Sequence, residues 1–358
     1  MKASVIIPNL NGAGWLRDSI ESIWAQTEQD FELIVIDNGS TDESLAIARS
    51  YCGRDRYTLI ENADNTGFSH AVNQGIAIAK GEYAVLFNND AFAEPDWLAE
   101  LIRTADADPK IFAVSSLMLR YYEPELADDA GDYVTILGFA CKRGDGLRAS
   151  RYTKPCRIFS ACGGAALYRK SILDEIGVFD ELFFAYYEDV DLSWRANSYG
   201  YKNVYCPTAK CRHICGATTG AVRYNPFKSI QSGRNSILLP YKNQPLLMLV
   251  LNFHPDAAGL PVKKSLCSGC AVFGNDYAKG FPRGMGRPAE DRQAQIPLEE
   301  SAQLYLGGGQ FDRRAVPVYC VSGAAGAEDY LIGCAHLQIL MHCRGRACPA
   351  RRLPGGWC

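Results

Sequence analysis

Apolar and polar positions along the first hundred residues switch between two periods. Val5-Ile6-Ile7 is a continuous apolar run closed by Pro8 and reads as a buried strand. Leu16, Ile20, Ile23, Trp24 and Thr27 then recur at the spacing of one helical face. Phe31 to Ile36 returns to a strand pattern, and Ser40 with Glu43 forms a capping box that opens the next helix. Tyr57 to Ile60 and Tyr83 to Phe87 predict two more strands, with a helix from about Ser69 to Ala79 between them. Pro95 marks a first helical turn whose inner face carries Trp97, Leu98, Leu101 and Ile102. Strand and helix alternating at this interval predict an α/β fold built on a mostly parallel, doubly wound sheet.

Such sheets bind ligands beyond the carboxyl ends of their strands. Polar residues gather at those ends: Asn9 and Asn11 after the first strand, Asp37 and Asn38 after the second, Asn62, Asp64 and Asn65 after the third, Asn88-Asn89-Asp90 after the fourth. Asn and Asp are ordinary turn residues one at a time; four successive strand ends supplying oxygens to one rim indicate a site. Neither GxGxxG nor GxxxxGK[ST] follows the first strand, which excludes the usual dinucleotide and P-loop sites. A nucleotide held by side-chain carboxylates and amides, with Mg2+ or Mn2+ on its diphosphate, fits better. Asn88-Asn89-Asp90 offers oxygen ligands at its first and third positions.

A second acidic cluster lies about a hundred residues later, in Tyr187-Glu188-Asp189-Val190-Asp191-Leu192-Ser193-Trp194-Arg195. On a helix Asp191 and Arg195 are four apart and pair with each other. That frees Asp189 for other work, and the like charge of Glu188 and partial burial among Tyr186, Tyr187 and Trp194 would raise its proton affinity.

Charge alters the picture along the chain. The 358 residues carry a net −3, but residues 1–209 hold 19 Lys+Arg against 31 Asp+Glu, and residues 210–358 hold 18 against 9. The basic C-terminal portion, beside the apolar run from Leu246 to Phe253, predicts contact with an anionic membrane surface or a phosphate-bearing acceptor. That run is far shorter than the roughly 20 residues of a spanning helix. The N-terminus reads as a strand and not a leader, so a cytoplasmic location at the inner membrane face is expected. The 14 cysteines include one CxxC, Cys267-Ser268-Gly269-Cys270, and Cys211 and Cys215 around His213; without a matched second pair, free thiols are expected in place of zinc.

The ordered motifs resemble the inverting family 2 glycosyltransferases of GT-A fold, in particular the bacterial rhamnosyltransferase-like group. They are Val5-Ile6-Ile7-Pro8-Asn9-Leu10-Asn11-Gly12, Ile36-Asp37-Asn38-Gly39-Ser40-Thr41-Asp42, Asn65-Thr66-Gly67-Phe68-Ser69 and Leu86-Phe87-Asn88-Asn89-Asp90. Ala161-Cys162-Gly163-Gly164-Ala165-Ala166, Gly177-Val178-Phe179-Asp180-Glu181, the Glu188–Asp191 stretch, His213 and Arg234-Asn235 follow in order. The match covers residues 3 to 250. It implies a Rossmann-like GT-A domain with a mostly parallel central sheet, flanking helices and a C-terminal helical extension.

By the same resemblance Asp37 accepts a hydrogen bond from the donor's pyrimidine ring, and Pro8, Asn9, Asn11, Asn65, Gly67, Asn88 and Asn89 enclose the nucleotide. Asn88 and Asp90 match a DxD motif whose first acid is here an amide, which makes Asp90 the main metal ligand. His213 is placed near the diphosphate as a further ligand, and Arg234 also faces the diphosphate. Asp189 is the base, supported by Glu188, Asp191 and Arg195, and Gly163 and Gly164 lie on the acceptor side. The implied reaction moves one sugar from dTDP-rhamnose or a UDP-hexose to a glycan or lipid-linked acceptor, with no nucleic acid involved. Residues 1–115 are expected to bind the donor, 116–235 to bind the acceptor and hold the base, 236–306 to form the extension, and 307–358 a Gly/Ala/Arg/Cys-rich tail. The segment from Met118 to Ser160, with Asp128-Asp129-Ala130-Gly131-Asp132, is read as acceptor-side. Two alternatives stand beside this: a nucleotide-sugar-binding module with a decayed metal site, and a sugar-nucleotide pyrophosphorylase, whose glycine-rich basic loop the chain lacks.

Overall fold

The computed structural model describes residues 1–135, 138–214 and 226–246. Cys215, the CxxC pair, the apolar run beyond Leu246, most of the expected extension and the tail lie outside them. Among the described residues no helix is long and apolar enough to cross a membrane.

The chain begins with β1 (Ala3–Asn9), α1 (Leu16–Trp24), β2 (Phe31–Asn38), α2 (Ser44–Arg49), β3 (Tyr57–Asn62), α3 (Phe68–Ile78), β4 (Tyr83–Phe87), β5 (Ala91–Ala93) and α4 (Trp97–Asp106). Then come β6 (Ile111–Arg120), β7 (Ala127–Asp129), β8 (Asp132–Val134), β9 (Ala140–Lys142), β10 (Cys156–Ile158), β11 (Ala165–Arg169), α5 (Lys170–Ile176), α6 (Glu188–Ser198), β12 (Lys202–His213) and α7 (Pro226–Asn243). The main sheet runs β10-β12-β6-β11-β4-β1-β2-β3, with β5 added on β12 and β7 on β6. β1 to β4 pair in parallel, as do β6 and β12, while β11 runs antiparallel between β4 and β6. This is the expected mixed α/β sheet flanked by helices. β6 crosses the 115/116 boundary, so both expected halves share one strand.

The parallel strands are apolar without alternation because both faces are covered. Val5, Ile7, Leu33 and Val35 face one core with Leu16, Ile20, Trp97 and Leu101. Ile6, Ile34 and Ile36 face the other with Val72, Ile76, Leu173 and Leu192. A third cluster of Phe183, Val190, Trp194, Leu238 and Leu239 seats α7 against α6.

The expected capping box fails. α2 starts at Ser44, and Asp42 does the capping by accepting the Ser44 N–H at 3.0 Å. Ser40 is unavailable because its hydroxyl receives the Asn11 N–H at 3.0 Å, which ties the first two strand-end loops together. α1 also stops early, at Trp24, and Thr27 joins the Pro95–Asp96 turn through Pro95 O and Asp96 Oδ1, both at 2.9 Å.

Candidate active site

The rim of the sheet is built on a buried chain of amides and carboxylates. Asn89 Nδ2 donates to Asn9 Oδ1 at 2.8 Å, and Asn9 Nδ2 donates to Asp37 Oδ1 at 2.8 Å. Asp37 Oδ2 accepts the Ser40 N–H at 3.0 Å, so ends of β4, β1 and β2 are locked in series. A Cβ on Gly12 would collide with Asn89 Nδ2 and Asn9 Oδ1, so that position must lack a side chain. Asp37 is 1% exposed. Two of the roughly four acceptor positions of its carboxylate are filled from within the protein. Asn9 and Asn89 are also buried, with Pro8 half-buried beside them.

The exposed part of the rim comprises Asn11, Asp64, Asn65 and Thr66. Asn11 has φ +51° and accepts the Thr41 N–H at 2.8 Å. Asn38 organises the β3 loop, donating to Asn65 Oδ1 at 3.0 Å and accepting the Thr66 hydroxyl at 2.8 Å. Gly67, at φ +90°, lies where a Cβ would come within 2.7 Å of Phe184. The β3 loop is thereby pressed against the segment before α6, and Phe68 N donates to Phe184 O at 2.7 Å.

That segment delivers the acidic cluster. Tyr186 and Tyr187 both adopt left-handed conformations, φ +68° and +74°, which cost about 1–3 kcal/mol each in a residue with a side chain. Asn235 of α7 holds them, donating to Ala185 O at 3.0 Å and Tyr186 O at 2.7 Å. α6 then opens with Glu188, Asp189 and Asp191 in its first turn, where the helix dipole favours negative charge.

The three carboxylates have separate fates. Asp191 is fully buried, takes Arg195 Nε at 3.1 Å, Lys242 Nζ at 2.8 Å and Asn243 Nδ2 at 2.8 Å, and is structural. Arg195 pairs as expected and also donates to the Ile176, Gly177 and Val178 carbonyls. Glu188 is 6% exposed and its Oε2 has no hydrogen-bond partner. Burial first, and then the charge of Asp189, pushes its carboxyl well above the usual range. Asp189 is half-buried, with Oδ2 accepting the Gly163 N–H at 2.9 Å and Oδ1 the Val190 N–H at 2.8 Å. Burial raises its proton affinity, against the pull of those N–H groups and of Lys142.

The Gly163-Gly164 turn links this carboxylate to the end of β4. Gly164 O accepts the Asn88 N–H at 2.9 Å, and a Cβ there would press on the Asn88 amide at 3.1 Å. His213 arrives from the far side, because β12 pairs with β5 and sets His213 opposite Ala91. Its Nε2 lies 3.1 Å from Asp90 Oδ1 and 3.3 Å from Asn88 Nδ2. Asn88, Asp90 and His213 therefore converge as expected. Among the described residues no group of three or more His, Cys, Asp or Glu side chains forms a metal cluster. Cys211 is buried in the core beneath His213 and, like the other described cysteines, is a free thiol.

Residues 4–177 match the family model described as Glycosyl transferase family 2. The chain is 31% identical over 229 residues to the uncharacterized protein y4gI of Sinorhizobium fredii, covering 61% of this chain and 25% of that protein. It is 23% identical to the poly-beta-1,6-N-acetyl-D-glucosamine synthase of Staphylococcus epidermidis, covering 74% of this chain and 63% of the synthase. The chain thus spans less than two thirds of either relative. GalNAc-T7, solved with UDP, GalNAc and Mn2+, superposes with a TM-score of 0.57 at 18% identity over 83% of this chain and 58% of its own. The mannosyltransferase PcManGT of Pyrobaculum calidifontis, solved with GDP-Man and Mn2+, superposes with a TM-score of 0.52 at 18% identity over 80% of this chain and 87% of its own. Both share the GT-A fold with this domain.

Arg234, expected to face a diphosphate, donates to Leu182 O at 2.7 Å and Asn235 Oδ1 at 2.8 Å and so ties α7 to the segment before α6. Asp128, read as acceptor-side, lies against His213, with Oδ2 2.9 Å from Nδ1. Sequence reasoning also missed Lys242 and Asn243 as partners of Asp191; only their later placement on α7 brings them there.

Asp129, next to Asp128, is fully buried with Oδ2 unpartnered. Burial foremost, with Asp128 and Asp189 adding to it against Lys142 and the Gly131 N–H, pushes its carboxyl up to about 7. The unfolded chain releases this proton near the ordinary 3.8 while the folded chain keeps it to about 7. The folded state therefore binds more protons in that window, and stability falls as pH rises through it. Asp129→Asn mimics the protonated acid, and its melting temperature should drop less than the wild type's between pH 5 and pH 8. Parallel pH slopes for the two proteins would contradict the assignment.

Proposed function

We propose that the chain is an inverting glycosyltransferase, acting with a nucleoside diphosphate sugar, dTDP-rhamnose or a UDP-hexose. The acceptor is a glycan or lipid-linked saccharide of cell-surface polysaccharide synthesis, in keeping with the rhamnosyltransferase-like motifs and with the similarity to a polysaccharide synthase. The observation that carries the reading is the Gly163-Gly164 turn, which ties the Asp189 carboxylate directly to the Asn88–Asp90 strand end.

In this reading the nucleoside lies over the Asn11, Asn65 and Gly67 loops, with Asp37 accepting from the base. Asp90 and His213, with the Asn88 amide beside them, would hold a divalent ion. The fit is supported by the 3.1 Å between His213 Nε2 and Asp90 Oδ1, since adjacent ligands of an octahedral ion bound at about 2.1 Å stand about 3 Å apart. A carboxylate, an imidazole and an amide leave room for phosphate oxygens and suit Mn2+ or Mg2+. Bound there, the ion would offset the charge that develops on the departing diphosphate. Asp189 takes the proton of the attacking acceptor hydroxyl, and the backbone bonds to its two oxygens fix its orientation. The net charge of +9 carried by residues 210–358, 18 Lys+Arg against 9 Asp+Glu, favours peripheral attachment at an anionic membrane face.

Thermal shift with UDP-, dTDP- and GDP-sugars tests the donor side. One sugar nucleotide with Mn2+ should stabilise the protein, by about 2.7 kcal/mol at a hundredfold excess over Kd, and EDTA should abolish the shift. No shift with any nucleotide would sink the proposal. Binding without transfer to any acceptor would favour the binding-module reading that Asn88 motivates.

A further inference from the structure

We propose that Asp128 is a positioning residue for His213, fixing which ring nitrogen is offered to the divalent ion; the inference rests on the metal reading above. Three strand pairings create the arrangement. β7 joins β6 antiparallel, β6 joins β12 in parallel with Arg120 opposite His213, and β12 joins β5 beside Asp90. The irregular step between Met118 and Leu119 in the β6–β7 register falls at Asp128, which has no Cα partner on β6 while its neighbours do. The side chain of Asp128 is 5% exposed and that of His213 11%, so neither is a freely moving surface group.

Asp128 Oδ2 lies 2.9 Å from His213 Nδ1, and both its oxygens also lie 3.1–3.2 Å from Lys142 Nζ. A carboxylate can only accept, so each contact calls for a proton or a cation between ring and carboxylate. Asp128 keeps the ring proton on Nδ1, and an ion taken up between Nε2 and Asp90 Oδ1, 3.1 Å apart and beside the Asn88 amide, would replace the proton on the other side. A carboxylate behind a metal-bound histidine both orients the ring and strengthens it as a ligand. The need is greater here than at a site with two acidic ligands, because Asn88 contributes no charge. The ion pair with Lys142 in turn holds the Asp128 carboxylate in place.

The test is Mn2+ binding to the full chain, read from the loss of the free-ion paramagnetic resonance signal, with and without UDP. Asp128→Ala is expected to weaken Mn2+ binding roughly 10–100-fold. Asp128→Asn, which keeps the size and one acceptor oxygen, should lose less; it also serves as the readable variant should the alanine form fail to fold. In a His213→Ala background, Asp128→Ala should bring no further loss, because the residue acts through the ring. Folded Asp128 variants that bind Mn2+ as tightly as the wild type, or losses that add in the double variant, would overturn the role of Asp128 while leaving the metal site standing. A wild-type protein that takes up no Mn2+ even with UDP would overturn the metal reading itself, and this inference with it.

Discussion

Asp189→Asn is expected to lower turnover by roughly 10²–10⁴-fold while donor affinity barely moves. The substitution keeps the size of the side chain but removes its capacity to take a proton. Asp189 receives one backbone N–H on each oxygen, from Gly163 and Val190, and an amide can accept only one of the two. A small loss of stability should therefore accompany the loss of rate without explaining it. In the proposed role Asp189 works as a carboxylate, and burial raises its proton affinity. Wild-type rates should thus fall as pH drops through a value above the ordinary aspartate range, and that acid limb should vanish in the variant's residual activity. Steady-state kinetics against pH, with calorimetric titration of the donor, measure both parts. Near-normal turnover in Asp189→Asn would remove Asp189 from the chemistry.

Asp191→Ala should act on the fold. Its carboxylate is fully buried between Arg195 and Lys242, whose side chains are 8% and 3% exposed. Deleting it strands two buried cations, although Lys242 keeps Asp180 at 2.5 Å. Breaking a buried pair from one side costs about 3–5 kcal/mol, readable as a lower urea midpoint. Burial alone would raise the Asp191 carboxyl, but Lys242, Arg195 and the Asn243 bond outweigh it and hold it below the ordinary 3.8. A depressed acid contributes stability above its unfolded value, and that contribution is lost as pH falls through the folded one. The stability gap between wild type and Asp191→Ala should consequently be full at neutral pH and close in strong acid. An unchanged urea midpoint alongside a collapse of turnover would mean that Asp191, and not Asp189, is the catalytic carboxylate.

The two predictions separate neighbours that sequence spacing alone distinguishes only halfway. The i, i+4 relation of Asp191 and Arg195 is local and could be read from the chain. Lys242 and Asn243, which complete that cage, lie about fifty residues away, and no periodicity announces them. The same limit explains Arg234. Its side chain reaches Leu182 O because α7 packs against the segment before α6.

The sequence by itself determined the strands β1 to β4, the helices α1 to α4, the layering of the sheet and the strand ends on which the candidate site is built, but not β5. Those features depend on the period of apolar residues and on turn residues, both of which act over a few positions. It also singled out Asn88, Asp90, Asp189 and His213 by type and order. The tertiary structure decided their company. Ser40 was drawn away from its helix by the Asn11 N–H, 29 residues distant, so the capping box gave way to Asp42. Asn9, Asp37 and Asn89 became a buried frame because β1 lies between β2 and β4. Asp128 met His213, 85 residues on, because β6 stands between their strands. Strand order and register place side chains that are remote in sequence within hydrogen-bond reach, and that long-range geometry has no local signature in the chain.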